Sequence, residues 1–261
     1  MKHMRREPHH LDCNASAALG IMDLFLSLPR PCGHFQSRLA RALRKIAEGA
    51  ERLSLRLEPR DIYINERSVE VPFVLQHLPA AGSILEVGST NSSLALQLAS
   101  LGYQISCVDV RPYEFDHPNL YCYQGDIAQL SALPHAAFDA AILISTIEHV
   151  GLGHYGDTVE LTDRAFFDIV ARYLRPGGTM LITVPFGQAF TCGWYRVYDS
   201  DALARLTQGY EIVDHRYARR LSLLQWQTCH EKELAAVASE NLPMNGVAML
   251  AVRVGAERSS T

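Results

Sequence analysis

The sequence predicts an α/β fold built on a mostly parallel β-sheet, and two observations support this. From about residue 80, short apolar runs rich in β-branched residues alternate with longer segments of helical periodicity. The predicted strands are apolar at nearly every position, which is typical of a sheet covered by helices on both faces. Ligands of such sheets bind beyond the carboxyl ends of the strands, so we expect the functional site there.

Seven strands account for the apolar runs. Five of them precede residue 190 and span Ser83 to Val87, Gln104 to Asp109, Leu120 to Gln124, Phe138 to Ser145, and Thr179 to Val184. Two later runs, Glu211 to Val213 and Val247 to Val254, complete a seven-stranded sheet.

Helical periodicity separates the strands at three places. The predicted helices span Ser92 to Leu101, Thr162 to Leu174, and Leu221 to Glu240. The run Pro176, Gly177 and Gly178 predicts a turn that leads into the fifth strand.

Residues 1–60 predict a helical appendage in front of this domain. Apolar side chains recur at spacings of three and four from Phe35 to Leu57, with basic residues between them, and Pro59 ends the helix. The apolar stripe has to be buried, either as a lid over the site or in a homodimer interface. Residues 61–256 then form the α/β domain, and residues 257–261 form a frayed tail.

Composition and charge argue against several classes of function. The net charge of −4 disfavours a general nucleic-acid binder, and we assign the basic excess of residues 1–60 to a solvated helix face. No segment approaches the roughly 20 apolar residues of a membrane span, and no signal peptide is predicted. We therefore expect a soluble, cytoplasmic protein that has no membrane partner. The six cysteines form no CxxC pair, which indicates free thiols in a reducing compartment, and no metal site is predicted.

A nucleotide-type site is predicted where the first strand meets the next helix, in a Rossmann-like arrangement. A turn of small residues begins at Gly88, and Asp109 ends the next strand 21 residues later, close to the spacing of about 20 expected for an acid that holds ribose hydroxyls. The turn, GSTNS, lacks the further glycines of the dinucleotide pattern, so a pyrophosphate would meet Cβ atoms there. Glu86 would repel a phosphate but attract an ammonium group. These features favour S-adenosylmethionine over NAD.

Five segments in register carry a family resemblance. The segments ILEVG, VDVRP, GDI, FDAAILISTIEHVG and LRPGGTMLITVPFG, in this order and spacing, resemble the class I S-adenosylmethionine-dependent methyltransferases. The resemblance spans about Glu66 to Tyr217. The segments INERSVEVPF, STIEHVGLGHYGD and WYRVYD are similar to a bacterial subgroup often associated with polysaccharide or natural-product methylation.

The resemblance implies a set of cofactor-binding residues. Glu86, Gly88, Ser89 and Thr90 would line the methionine and ribose side, and Ser145 would join them from the end of the fourth strand. Asp109 would hold the ribose hydroxyls, Val110 and Arg111 would flank the adenine, and Asp126 with Ile127 would contact its amino edge and face. The turn GSTNS departs from the more glycine-rich sequence of the family. A helix cap at Asp109 and a turn carboxylate at Asp126 are the structural alternatives.

The candidates for catalysis follow the fourth strand. Methyl transfer is an in-line displacement that needs positioning, together with a base when the nucleophile is a hydroxyl. His149 is the first candidate for this base and His154 the second, because a histidine titrates near neutral pH. Glu148 would orient His149 or cap the helix, and the alternative for His149 is a residue that only shapes the pocket. Aromatic residues that could form a wall around the acceptor are Tyr155, Trp194, Tyr195 and Tyr198.

The expected activity is methyl transfer from S-adenosylmethionine to a hydroxyl or amine of a small-molecule acceptor, such as a sugar or natural-product precursor. Two alternatives stay open. One is a cyclase of the azetidine-forming type, which consumes the same cofactor without an acceptor. The other is a non-catalytic regulatory protein that binds the cofactor, and the altered turn is its only support.

Overall fold

A computed structural model of the chain describes residues 64–90, 92–153, 161–222, 224–235 and 245–255. The predicted N-terminal appendage, the predicted tail, His154 and Tyr155 lie outside these ranges.

The described domain is centred on one eight-stranded sheet with the order β3-β2-β1-β4-β5-β10-β8-β9. Its strands are β1 (Ser83–Val87), β2 (Gln104–Asp109), β3 (Leu120–Gln124), β4 (Phe138–Ile144), β5 (Leu174–Pro185), β8 (Glu211–Ser222), β9 (Gln225–Cys229) and β10 (Gly246–Arg253). A separate two-stranded ribbon pairs β6 (Phe190–Thr191) with β7 (Arg196–Val197). Strands β1 to β5 run parallel, whereas β10 is antiparallel to both β5 and β8, and β9 is antiparallel to β8. The predicted α/β class with a mostly parallel sheet is confirmed.

Helices cover both faces of this sheet, as predicted. They are α1 (Arg67–His77), α2 (Leu94–Ser100), α3 (Asp163–Tyr173), α4 (Ser200–Thr207) and α5 (Glu231–Leu234), with a 3₁₀ turn at Ile147–His149. Buried side chains of α1 and α2 form one apolar cluster with the sheet, and those of α3 and α4 form a second cluster on the other face. This two-sided burial explains why the strands are apolar at successive positions.

Side-chain caps fix the start of the two helices on the second face. The Thr162 hydroxyl accepts a hydrogen bond from the Ala165 N–H at 3.1 Å, and Asp199 accepts one from the Ala202 N–H at 2.8 Å. Each cap satisfies a backbone donor that has no partner within the helix.

The prediction of seven strands is wrong, because β9 adds an eighth in a segment that was expected to be helical. Strand β8 continues to Ser222, β9 follows as its hairpin partner, and only Glu231–Leu234 is helical in the described part of that segment. Tertiary contacts hold this hairpin. The Arg220 guanidinium lies 5.0 Å from the centre of the Trp226 ring, and the Trp226 Nε1 donates to the Ile64 carbonyl at 2.9 Å.

The predicted turn before the fifth strand is instead part of β5. The register with β4 jumps from the pair Phe138 and Leu174 to the pair Ala140 and Thr179, so the residues between form an irregularity in the strand. Gly177 has a φ of +81°, and its N–H donates to the Val254 carbonyl at 3.0 Å. The segment is therefore bonded into the sheet through β10.

Three further features bear on the predictions from composition. The cysteines in the described ranges are free thiols: Cys107, Cys122, Cys192 and Cys229. In the same ranges no helix is long and apolar enough to span a bilayer. This part of the chain also contains no cluster of three or more His, Cys, Asp or Glu side chains that could hold a metal ion.

Candidate functional site

A cavity of about 390 Å³ lies beyond the carboxyl ends of β1, β2 and β4, within the range of sites that enclose a drug-sized ligand. Its β2 half is lined by Asp109, Val110, Arg111, Asp126 and Ile127. Its β4 half is lined by Glu66, Arg67, Ser145, Thr146, Glu148, His149, Trp194 and Tyr195. Glu86 and Gly88 line it between the two halves, whereas Ser89 and Thr90 do not line it. Ten of the sequence-predicted site residues therefore share one cavity.

Asp109 is held in place by the turn after β1. Its Oδ2 accepts from the Thr90 N–H at 2.9 Å, and its Oδ1 accepts from the Arg111 N–H at 2.9 Å. A carboxylate has about four acceptor positions, so each oxygen of Asp109 keeps capacity for one more donor. Thr90, predicted as a cofactor contact, thus acts in the structure by orienting Asp109.

Gly88 allows the ends of β1 and β4 to approach closely. Its φ is +81°, and a Cβ at this position would lie only 2.4 Å from the Thr146 Oγ1. The Thr146 hydroxyl in turn donates to the Val87 carbonyl at 3.1 Å. Any side chain at position 88 would force these two loops apart.

Glu86 is a buried carboxyl at the centre of the cavity. It is 3% exposed, and desolvation raises its pKa to about 7. Hydrogen bonds from Ser92 and from the Ala95 backbone oppose this rise, as does the charge of Arg67. Its Oε2 has no hydrogen-bond partner among the described residues. A buried acceptor without a partner is uncommon in native proteins, and a ligand with N–H donors would satisfy it.

The far end of the β2 half combines a turn carboxylate with apolar contacts. The Asp126 Oδ1 accepts from the Ala128 N–H at 2.9 Å, which is the structural role considered for this residue. Ile127 is buried, and its carbonyl accepts from the Tyr173 hydroxyl at 3.1 Å. These bonds fix the loop after β3 while Asp126 still lines the cavity.

Helix α1 brings to the β4 half an ionic network that sequence reasoning missed. The Arg67 Nη1 donates to the Glu70 carboxylate and, at 2.8 Å, to the Ser145 hydroxyl. The Ser145 hydroxyl donates to the Glu70 Oε1 at 3.2 Å. Glu70 is fully buried, although it lies on the apolar stripe of α1 with Phe73 and Val74. An acid on a buried helix face is the sequence signal that could have revealed this network.

Ser145 has an unusual backbone conformation at the end of β4. Its φ is +45°, in the left-handed region that non-glycine residues seldom adopt. The Ser145 N–H donates to the Thr183 carbonyl at 3.1 Å and to the Thr183 hydroxyl at 3.1 Å. The neighbouring strand β5 and the α1 network therefore hold this strained residue at the edge of the cavity.

The orientation of His149 is set by the loop between β6 and β7. Its Nδ1 lies 2.7 Å from the Trp194 carbonyl oxygen, and its ring centre lies 5.6 Å from that of the Trp194 indole. A carbonyl oxygen can only accept a hydrogen bond, so Nδ1 carries a proton and the neutral ring has its lone pair on Nε2. The Glu148 Oε1 lies 3.9 Å from this Nε2.

Of the acids that line the β4 half of the cavity, Glu148 is the most buried. It is 1% exposed, and its Oε2 has no hydrogen-bond partner in the described part of the chain. Desolvation raises its pKa well above the ordinary value, and the nearby Glu70 charge raises the pKa further while Arg67 lowers it.

The predicted aromatic wall is present only in part. Trp194 and Tyr195 line the cavity, and their ring centres lie 5.5 Å apart in an edge-to-face arrangement. Tyr198 instead belongs to the core, where its hydroxyl donates to the Asp163 Oδ2 at 3.0 Å.

Comparisons with solved structures identify the fold at low sequence identity. A family model described as a Caenorhabditis protein of unknown function, DUF268, matches residues 121–242, and a comparison with curated proteins found no match. Among solved structures, a SAM-dependent methyltransferase of Methanosarcina mazei has a TM-score of 0.51 at 15% identity, over 71% of this chain and 98% of that one. The 1,6-didemethyltoxoflavin-N1-methyltransferase of Burkholderia thailandensis, with bound 1,6-didemethyltoxoflavin and S-adenosylhomocysteine, has a TM-score of 0.51 at 14% identity, over 88% and 93% of the two chains.

The same fold also includes a protein described by a different activity. The 4+2 cyclase SpnF has a TM-score of 0.50 at 15% identity, and the match covers 76% of this chain and 85% of that one. Identities this low show the fold alone. The described domain therefore has the Rossmann-like fold of S-adenosylmethionine-dependent methyltransferases.

Proposed function

We propose that this protein binds S-adenosylmethionine and transfers its methyl group to a hydroxyl or amine of a small-molecule acceptor. One observation carries the proposal. Three residues line a single cavity at the carboxyl ends of parallel strands: Glu86, Asp109 and His149. The Glu86 Oε2 is buried and has no hydrogen-bond partner among the described residues, and Asp109 keeps acceptor capacity.

The residues of the cavity fit this cofactor. Glu86 would receive the ammonium of the methionine arm, and the charge of that ammonium would favour the ionised carboxylate. Asp109 would accept from both ribose hydroxyls, while Val110 and Ile127 would contact the adenine and Asp126 its amino edge. When bound, S-adenosylmethionine supplies a methyl group activated by a sulfonium. Gly88 is exposed and lines the cavity where the methionine arm would pass.

His149 would act as the base at the other end of the cavity. The Trp194 carbonyl orients the imidazole and keeps the proton on Nδ1, so Nε2 can take a proton from the acceptor. Ser145 and Glu148 would shape the acceptor position. The sequence resemblance to a bacterial subgroup associated with polysaccharide and natural-product methylation supports a sugar or natural-product precursor as the acceptor.

Cofactor binding is tested first, by calorimetry with S-adenosylhomocysteine. The wild-type protein should bind it, and Asp109→Asn should bind it at least tenfold more weakly, because a hydrogen bond to a charged group contributes roughly 1.5 to 3 kcal/mol. The asparagine keeps one acceptor oxygen, which limits damage to the turn. Glu114→Gln, an exposed acid outside the cavity, is the matched control. Equal affinities of the wild-type and Asp109→Asn proteins would refute the ribose assignment.

Labelled cofactor then separates the three candidate activities. With S-adenosylmethionine alone we expect little turnover, and with a metabolite extract we expect labelled methyl product together with S-adenosylhomocysteine. Steady release of methylthioadenosine without an acceptor would instead favour the azetidine-forming cyclase. Cofactor binding without any turnover would favour the regulatory protein.

A further inference from the structure

We propose that the methyl acceptor is a small amine, and that its ammonium group binds between the Glu148 carboxyl and the rings of Trp194 and Tyr195. This inference rests on the proposed methyl transfer and narrows its acceptor from a hydroxyl or amine to an amine.

The charge of the β4 half favours a cation over an anion. Glu66 and Glu148 line this half, and the buried Glu70 lies directly behind it. Among the described residues of this half, Arg67 is the one lysine or arginine on the lining, and its charge is paired with Glu70. Glu66 is paired with Arg220 at 3.8 Å, so Glu148 is the acid of this lining that has no arginine or lysine partner among the described residues. A phosphate or carboxylate on the acceptor would therefore meet a surplus of acids, whereas an ammonium would be attracted.

Glu148 supplies the specific contact. Its carboxyl lines the cavity, is almost completely buried, and leaves Oε2 without a hydrogen-bond partner among the described residues. An ammonium would provide both the N–H donor and the charge that a buried carboxylate needs. A hydroxyl would provide a donor but no compensating charge.

The aromatic residues supply the remaining walls. Trp194 is 39% exposed, and with Tyr195 it forms two rings set nearly at right angles, at an interplanar angle of 81°. Aromatic faces within about 6 Å attract ammonium groups through their ring electrons. His149 lies against the same indole. The proposed base and the aromatic wall would therefore both lie next to the ammonium of the bound acceptor.

The proposed site accounts for the proton and the electron pairs that N-methylation moves. His149 Nε2 takes one proton from the bound ammonium, which leaves a neutral amine with a nitrogen lone pair. This lone pair forms the new bond to the methyl carbon, and the electron pair of the broken C–S bond stays on sulfur. The products are the N-methylated ammonium, S-adenosylhomocysteine and a protonated His149.

Ethanolamine and its neutral isostere, ethane-1,2-diol, test the site directly, because ethanolamine carries both the N–H donors and the charge that Glu148 would bind. The sequence contains two tryptophans, so Trp226→Phe leaves Trp194 as the single reporter of fluorescence. With S-adenosylhomocysteine bound, ethanolamine should change the Trp194 emission saturably, with a dissociation constant at least tenfold below that of the isostere. Glu148→Gln should remove this preference, and Glu114→Gln should keep it.

Calorimetry in two buffers of different ionisation enthalpy adds a second readout. The titratable and charged groups around Glu148 are Glu66, Glu70, Arg67, His149 and Tyr198, and the pKa of Glu148 is raised without a ligand. A bound cation favours the ionised carboxylate, so ethanolamine binding should release protons, and Glu148→Gln should release fewer.

The outcomes separate this inference from the proposed function. Unchanged affinity of Glu148→Gln for S-adenosylhomocysteine shows that the variant is folded. If the wild-type protein binds S-adenosylhomocysteine but does not prefer ethanolamine over the isostere, the amine acceptor is refuted while methyl transfer stands. If it does not bind S-adenosylhomocysteine, both proposals fall.

Discussion

The backbone carbonyl of Trp194 sets the tautomer of His149. The Trp194 carbonyl holds the proton on Nδ1, and this leaves Nε2 as the atom that can accept a proton. A side chain at position 194 has no direct part in this hydrogen bond. The conformation of the loop between β6 and β7, rather than the identity of residue 194, therefore determines whether His149 can act as a base.

Replacement of His149 tests this role. His149→Ala should lower the turnover of methyl transfer by roughly 10² to 10⁴, because a positioned base contributes about that factor. The affinity for S-adenosylhomocysteine, measured by calorimetry, should stay within a few-fold of wild type. His135→Ala is the matched control, since His135 stacks on Tyr173 and does not line the cavity. A fully active His149→Ala protein would reduce His149 to a wall of the pocket.

Individual site residues differed in how far the sequence could predict them. Glu86 and Asp109 line one cavity, and their proximity follows from the ends of predicted strands. Arg67 and Glu70 were missed, because their partner Ser145 lies more than 70 residues away along the chain. The predicted cofactor and catalytic roles of all these residues stay predictions until binding and turnover are measured.

At the scale of the secondary-structure elements, the turn that precedes β4 carries backbone strain. Ala136 has a φ of +50° and is exposed, while its N–H donates to the Arg172 carbonyl at 3.0 Å. An L-residue in this region costs roughly 1 kcal/mol relative to glycine. Ala136→Gly should therefore raise the free energy of unfolding by about 0.5 to 1 kcal/mol in urea titrations.

A reciprocal substitution provides the control for this prediction. Gly102 has a φ of +98°, and a Cβ there would meet no atom within 4 Å, so Gly102→Ala adds strain without a clash. It should lower the free energy of unfolding. A loss of stability in Ala136→Gly would show that the flexibility of glycine in the unfolded chain outweighs the relief of strain.

Elements that are formed by local interactions were predicted more accurately than elements that depend on contacts between distant parts of the chain. Helix α3 and strands β1 to β4 were predicted within about one residue, because local periodicity and caps define them. Strand β9 was mistaken for a helix, since the apolar spacing of its segment also fits a helical face. Its β conformation depends on pairing with β8 and on the contact between Arg220 and Trp226, which local sequence does not reveal.

At the scale of the whole molecule, burial raises the pKa of three glutamates near one cavity, Glu70, Glu86 and Glu148. The native state then binds more protons than the unfolded state between the ordinary glutamate pKa of 4.5 and the raised values. Stability falls as pH rises through this window, because the native state resists ionisation. Glu86, with its pKa of about 7, places its part of this loss between about pH 4.5 and pH 7.

Glu86→Gln isolates this contribution, because glutamine does not titrate. The variant should gain stability relative to wild type as pH rises from 5 to 8, by up to about 3 kcal/mol. Urea unfolding of both proteins at each pH measures the difference. The other two glutamates are present in both proteins and cancel in this comparison. A difference that is constant with pH would show that Glu86 is ionised in the native protein without a ligand.

The position of β10 in the sheet has a consequence for synthesis on the ribosome. The hairpin of β8 and β9 touches the rest of the sheet only through β10, as far as the described strands show. Strands β1 to β5 are complete once Pro185 has emerged, and they can pair as a parallel unit from then on. The hairpin has to wait with one long edge unpaired until residue 253 leaves the exit tunnel. During that interval the edges of β5 and β8 are open to pairing with other nascent chains, so conditions that slow elongation over residues 230–253 should favour aggregation.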